Sequence, residues 1–211
     1  MVDTLRQLTI LVVPVLLAIT FHELAHGWVA DRLGDPTPRL SGRLTFNPIK
    51  HLDLVGTLVF LFTRMIGWAK PVPVNPHNFR NPRQDMIWVA LAGPLTNLAL
   101  AAASALAFRG LEWLAFSPYS SAVILTPVLH MARASVIINV GLAVFNIIPI
   151  PPLDGSRVLS GLLPYREALA YSRLEPYGFI ILLALLFVGA IDWAIYPVIV
   201  ASLKLFLGGA L

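Results

Sequence analysis

Apolar residues gather in four long runs and one short one, separated by polar connections rich in proline. Run 8–33 carries Pro14 near its start and closes on Asp31, Arg32 and Gly34. Runs 86–108 and 122–148 are long enough to cross a bilayer core, which takes about 20 apolar residues. Gly93-Pro94 and Asn97 interrupt the former, and His130, Arg133 and Asn139 lie inside the latter. Run 177–207 is interrupted by Asp192 and Pro197. It suits one long kinked helix or a hairpin of two shorter ones, and the hairpin is favoured. Run 54–63 is too short to cross unaided and is predicted to be re-entrant or interfacial. Residues 40–46 alternate well enough to predict a strand stopped by Asn47-Pro48. Pro71 and Pro73 predict an extended or edge path over 68–75. The pattern predicts an all-α polytopic membrane protein. It has four to five transmembrane helices and a short re-entrant, strand-like region after the first.

Composition agrees. Of 211 residues, 57% are hydrophobic and only 12% charged, against about a quarter charged in soluble domains. A pI near 9.8 raises nucleic acid as a partner, but the cations form no tail or stripe, and no nucleic acid is expected. They report orientation instead. Residues 32–85 carry Arg32, Arg39, Arg43, Lys50, Arg64, Lys70, Arg80 and Arg83, and 149–175 carry Arg157, Arg166 and Arg173. The positive-inside rule puts both connections on the cytoplasmic side of a cell membrane. The first 20 residues resemble a signal sequence only superficially, because no small-residue cleavage site follows the apolar stretch.

Chemistry enters at His22-Glu23-Leu24-Ala25-His26, inside the first run. Two imidazoles four residues apart share a helical face and can hold one zinc ion, with Glu23 placed to take a proton from water. Ionisable groups at membrane depth cost roughly 3 kcal/mol each on insertion scales, so they are functional candidates by default. Cysteine is absent, so a third ligand must be His, Asp or Glu. Asp154, His51, Asp53, His77 and His130 are the candidates. Asp154 is the best of them. It follows Pro149-Ile150-Pro151-Pro152-Leu153, which cannot continue a helix, and lies at the same predicted membrane face as His22 and His26.

The run Phe21 to Gly27, the run Asn146 to Gly155 and the Gly93-Pro94-Leu95-Thr96-Asn97 sequence together resemble the site-2 protease family of intramembrane zinc metalloproteases. The resemblance covers nearly the whole chain. It implies one Zn2+ held by His22, His26 and Asp154, with Glu23 as general base and then acid. It also implies that Asn97 and Asn146 border the site and hold the substrate backbone. Its substrate would be a transmembrane segment of another membrane protein, unwound and clamped in extended form, with 40–46 and 68–75 as candidate clamps. The chain reads as one catalytic domain, 1–211, with a core of about 8–160 and C-terminal helices at 177–208 that are peripheral. Larger relatives carry a regulatory domain, often of PDZ type, for which this chain has no space.

Plainer readings cover the other polar residues. His130 and Arg133 suit a packed polar pair facing the bundle, His51 and Asp53 an interfacial position, and His77 a solvated loop. No motif speaks to the oligomeric state. Two rival functions fit the motif less well: a membrane scaffold or receptor with a structural zinc, and a small transporter with a metal on its path.

Overall fold

Small residues at a spacing of four decide how the helices meet. The computed structural model describes residues 2–63, 67–115 and 121–208. Helix α1 (Val2–Arg32) buries Pro14, Ala18, His22, His26 and Ala30 in a stripe at intervals of four. After a short turn, α2 (Thr37–Leu40), and the ten-residue α3 (Leu54–Thr63), the chain enters the long α4 (Pro82–Ala115). That helix turns Ala90, Gly93, Asn97, Ala101 and Ala105 inward. Helix α5 (Ala122–Asn146) answers with Val136, Asn139, Val140 and Ala143. Between membrane helices lipid removes the hydrophobic drive, so close backbone approach over Gly and Ala provides the packing. Helices α1, α4 and α5 therefore form the central bundle.

Pro94 sits inside α4 without ending it. A proline removes one helical donor and crowds the carbonyl four residues back, and neighbouring helices can re-satisfy what it frees. Three prolines in quick succession, Pro149, Pro151 and Pro152, do end α5. The chain leaves it at Asn146, turns through 147–153 and begins α6 (Asp154–Leu162). Gly155 is what lets α6 start so close, since a Cβ there would collide with the Ile147 and Ile148 carbonyls. Asp154 is thus set at the first turn of a new helix, against the end of α5.

Helices α7 (Tyr165–Ser172), α8 (Gly178–Phe187) and α9 (Ala190–Leu207) complete the chain. The favoured hairpin is present: α8 and α9 are joined by Val188 and a left-handed Gly189 (φ 74°). Leu182, Ile191 and Ile195 pack on Leu153, while Leu203 and Leu207 reach Phe108 and Val136 at the other end of the bundle. Thr9–Arg32, Pro82–Ala115, Val123–Asn146 and Tyr165–Phe187 are each long and apolar enough to cross a membrane. The chain is an all-α polytopic membrane protein.

The strand over 40–46 does not form. Leu40 closes α2, Gly42 turns at φ 66°, and no strand occurs among the described residues. The alternation is real but has another cause. Leu40 and Phe46 are exposed, and the buried residue between them is Arg43, whose guanidinium donates to the Lys70 and Pro71 carbonyls. Residues 68–75 run without regular structure, touching 51–52 only through an isolated antiparallel bridge, Leu52 to Ala69. Prolines at 71 and 73 deny this segment two ladder donors.

Candidate active site

The inward stripe of α1 brings His22 and His26 onto one line, both buried, with Asp154 presented to them from the first turn of α6. His22 Nε2 and His26 Nε2 are 3.0 Å apart, and Asp154 Oδ2 lies 3.1 Å from the first and 3.3 Å from the second. Among the described residues this is the one cluster of three His, Asp or Glu groups spaced to share an ion.

The hydrogen bonds behind the triangle fix its chemistry. His26 Nδ1 lies 2.6 Å from the Val89 carbonyl oxygen, which can only accept, so Nδ1 carries the proton. His22 Nδ1 lies 2.5 Å from Asn97 Oδ1. The Asn97 amide nitrogen donates to Asn139 Oδ1 and the Ala18 carbonyl, so its oxygen is the atom facing His22, and His22 Nδ1 is protonated as well. In its neutral form each imidazole then presents an Nε2 lone pair to the other and to Asp154 Oδ2, a buried oxygen with no hydrogen-bond donor. Three converging lone pairs at this range repel unless a cation sits among them. Tetrahedral bonds of about 2.0–2.1 Å separate ligand atoms by about 3.3–3.4 Å. The triangle is within a few tenths of an ångström of that spacing, so the residues fit zinc. Gly93 of α4 keeps the space open. A Cβ there would overlap His26 Nε2 and come within 2.7 Å of His22 Nε2.

Glu23 reaches residue 72, where its Oε2 accepts the Val72 N–H at 2.9 Å. Asn97 departs from its expected place beside a substrate. It is fully buried, and its amide oxygen and both N–H groups are taken by His22, Asn139 and Ala18. Asn139 continues the chain to Ser135, which meets Ser104 Oγ at 2.8 Å. Asn146 is half-buried at the last position of α5, its amide nitrogen on the Leu142 carbonyl. The rival third ligands lie elsewhere. His51 is buried on the Thr45 carbonyl, Asp53 accepts the Gly56 N–H at the start of α3, and His77 and His130 are exposed. Arg133 is half-buried.

Residue types alone did not reveal the Val89 carbonyl or the Val72 N–H. The available signal was Pro94. It leaves the Ala90 carbonyl without its helical donor and crowds that turn. From the same turn the Val89 carbonyl reaches His26. Partners that orient a metal-bound histidine usually contribute 10- to 100-fold in metal affinity. Asn97→Leu is therefore expected to weaken zinc binding by roughly that factor in a chelator competition, with helicity unchanged. An affinity equal to wild type would return Asn97 to the substrate side.

Three relatives are each named as a putative zinc metalloprotease. YwhC of Bacillus subtilis is 38% identical over 204 residues, covering 93% of this chain and 90% of its own. Rip2 of Mycolicibacterium smegmatis is 28% identical over 200 residues, covering 90% and 73%. Rip2 of Mycobacterium tuberculosis is 31% identical over 173 residues, covering 81% and 63%. No solved structure matches. The model of peptidase family M50 matches residues 115–189, the part that holds Asp154. With the YwhC similarity extending over α1 and α4 as well, the chain belongs to peptidase family M50, the site-2 protease family of zinc metalloproteases.

Proposed function

We propose that this chain hydrolyses peptide bonds in or near transmembrane segments of other membrane proteins, with one zinc ion held by His22, His26 and Asp154. The observation that carries this reading is the triangle of three ligand atoms, 3.0–3.3 Å on a side, whose two histidines lie inside an apolar span. A zinc ion bound there would lower the pKa of its water to about 7 and polarise a carbonyl. The protein's own groups do the rest. Val89 and Asn97 hold both imidazoles in the ligating tautomer. Glu23 takes the proton from the attacking water and returns it to the leaving amine, so that water adds across the C–N bond with no proton lost. Asn146, half-buried where α5 ends, is the group proposed to hold the substrate backbone.

Depth supports a membrane substrate. His26 stands six residues before the end of the span at Arg32, about 9 Å below it at the helical rise. A scissile bond must therefore descend past the lipid surface. The cationic connections 32–85 and 149–175 flank the site, which supports a cytoplasmic-side active centre in a cell membrane. The chain acts as one catalytic unit in this reading, with α8 and α9 outside the metal core.

The test is metal content and cleavage measured together. Asp154→Ala is expected to lower zinc from one ion per chain to a small fraction, and to abolish cleavage of reconstituted single-span peptides. Removing a chelatable metal from the wild type should do the same reversibly. Unchanged zinc in Asp154→Ala would remove this carboxylate from the ligand set.

A further inference from the structure

Among the buried polar residues outside the metal cluster, three with no part in the reaction as derived stand close together along the chain: Asp35, Arg43 and His51. All three grip one short segment, the strap from Ala69 to Asn75. Arg43, only 6% exposed, donates Nη2 to the Lys70 carbonyl at 2.5 Å and Nη1 to the Pro71 carbonyl at 3.2 Å. The His51 carbonyl accepts the Lys70 N–H at 2.9 Å. At the other end Asp35 Oδ2 accepts the Asn75 N–H at 2.7 Å, and its Oδ1 is held by Thr37 and Asn78.

Between these anchors lies Pro71-Val72-Pro73. Prolines have no N–H, so Val72 is the only backbone donor of the three, and a residue before proline is confined to extended conformations. That single donor is the one on Glu23 Oε2. The Val72 side chain is buried against Gly27, where an added Cβ would stand 3.2 Å from Val72 Cγ1. The strap is clamped at both ends and keyed to α1 in the middle. Burial pushes the Arg43 guanidinium below its ordinary range, and the Glu23 carboxylate opposes that shift.

We propose that Arg43 is a positioning residue for Glu23: by gripping the Lys70 and Pro71 carbonyls it holds the Val72 N–H on one carboxylate oxygen and leaves the other for the proton. A glutamate side chain has three rotatable bonds and loses reactive geometry when they are free. Fixing one oxygen orients the other, which is the advantage of a pre-positioned catalytic group. The sequence serves this purpose economically. Only a proline on each side of Val72 leaves a lone, correctly aimed donor.

The proposal rests on Glu23 acting as the base, and its test has one arm that does not. In the first arm, zinc-loaded full-length protein is reconstituted with a single-span peptide. Arg43→Gln, and Val72→Pro, which deletes the N–H, are expected to lower kcat roughly 10- to 100-fold, the usual effect of losing a hydrogen bond to a charged group. KM and zinc content should stay at wild-type values, and Arg43→Lys should recover part of the rate. Loss of zinc, or a change confined to KM, would make Arg43 a fold anchor and overturn the proposal.

The second arm is amide hydrogen exchange with fragment-resolved mass spectrometry on the resting protein. Deuterium on residues 71–73 reports Val72 alone, because its neighbours have no amide hydrogen. Exchange there should be slow in wild type and roughly tenfold or more faster in Glu23→Ala and in Arg43→Gln. Asn75, tied to Asp35, should stay slow in Glu23→Ala. Equal Val72 exchange in wild type and Glu23→Ala would show that the carboxylate does not hold the strap. If the wild type cleaves no peptide, the protease reading fails, and the exchange result still decides this contact.

Discussion

Glu23→Gln is expected to retain one zinc per chain and to lose peptide cleavage by about 10²- to 10⁴-fold, the usual contribution of a positioned acid–base group. The substitution removes a proton acceptor and little else. Glutamine keeps the length of the side chain and an oxygen able to accept the Val72 N–H, so the strap should hold its place. The ligands His22, His26 and Asp154 are untouched. A paired measurement checks it: elemental zinc per chain, and cleavage of a reconstituted single-span peptide. Zinc retained with cleavage lost separates a protease from a scaffold or receptor with a structural metal, because such a protein has no turnover to lose. Cleavage at the wild-type rate would mean that another group takes the proton. Loss of zinc would mean that Glu23 supports the ligand geometry instead.

The parts of the site that were legible in the sequence are those whose chemistry sits in side chains at a fixed helical spacing. His22 and His26 fall on one stripe because four residues make just over one helical turn. Asp154 was legible because a proline cluster ends a helix and the cation pattern put both connections at one membrane face. The C-terminal hairpin followed from the polar residues inside run 177–207. What stayed hidden is backbone. The Val89 carbonyl and the Val72 N–H have no side-chain signature, although the prolines on either side of Val72 explain why its N–H is the one donor of that tripeptide. For a related reason Asn97 was singled out for the substrate side, while in the structure its amide meets His22 and Asn139. An amide can serve a substrate or a histidine equally well, and only the packing of α1, α4 and α5 decides which. The absent strand at 40–46 has a different origin. Leu40 is 80% and Phe46 68% exposed. In a membrane protein an exposed apolar residue is no anomaly, because lipid rather than a protein core can cover it. Alternation of apolar and polar positions then stops being evidence for a sheet face.

Gly93→Ala is expected to be nearly as damaging as loss of a ligand, although it adds a single methyl group to a residue that binds nothing. Alanine is about 1 kcal/mol better than glycine inside a helix, so α4 itself should gain. The harm is local. The new carbon would occupy the space bounded by His26 Nε2 and His22 Nε2, where the ion must sit. Neither histidine can retreat freely, since Val89 and Asn97 fix the far side of each ring. Zinc affinity should fall by at least about 100-fold, beyond the range usual for losing an orienting partner, and cleavage should fall with it. Gly110→Ala is the matched control. It lies in the same helix, meets nothing within 4 Å, and should keep both zinc and activity. Competition with a chelator measures the affinity, and circular dichroism confirms that α4 is intact. If Gly93→Ala holds zinc as the wild type does, the space beside Gly93 is not where the metal binds. The two histidines and Asp154 would then have to be read as a proton-sharing cluster, not as ligands.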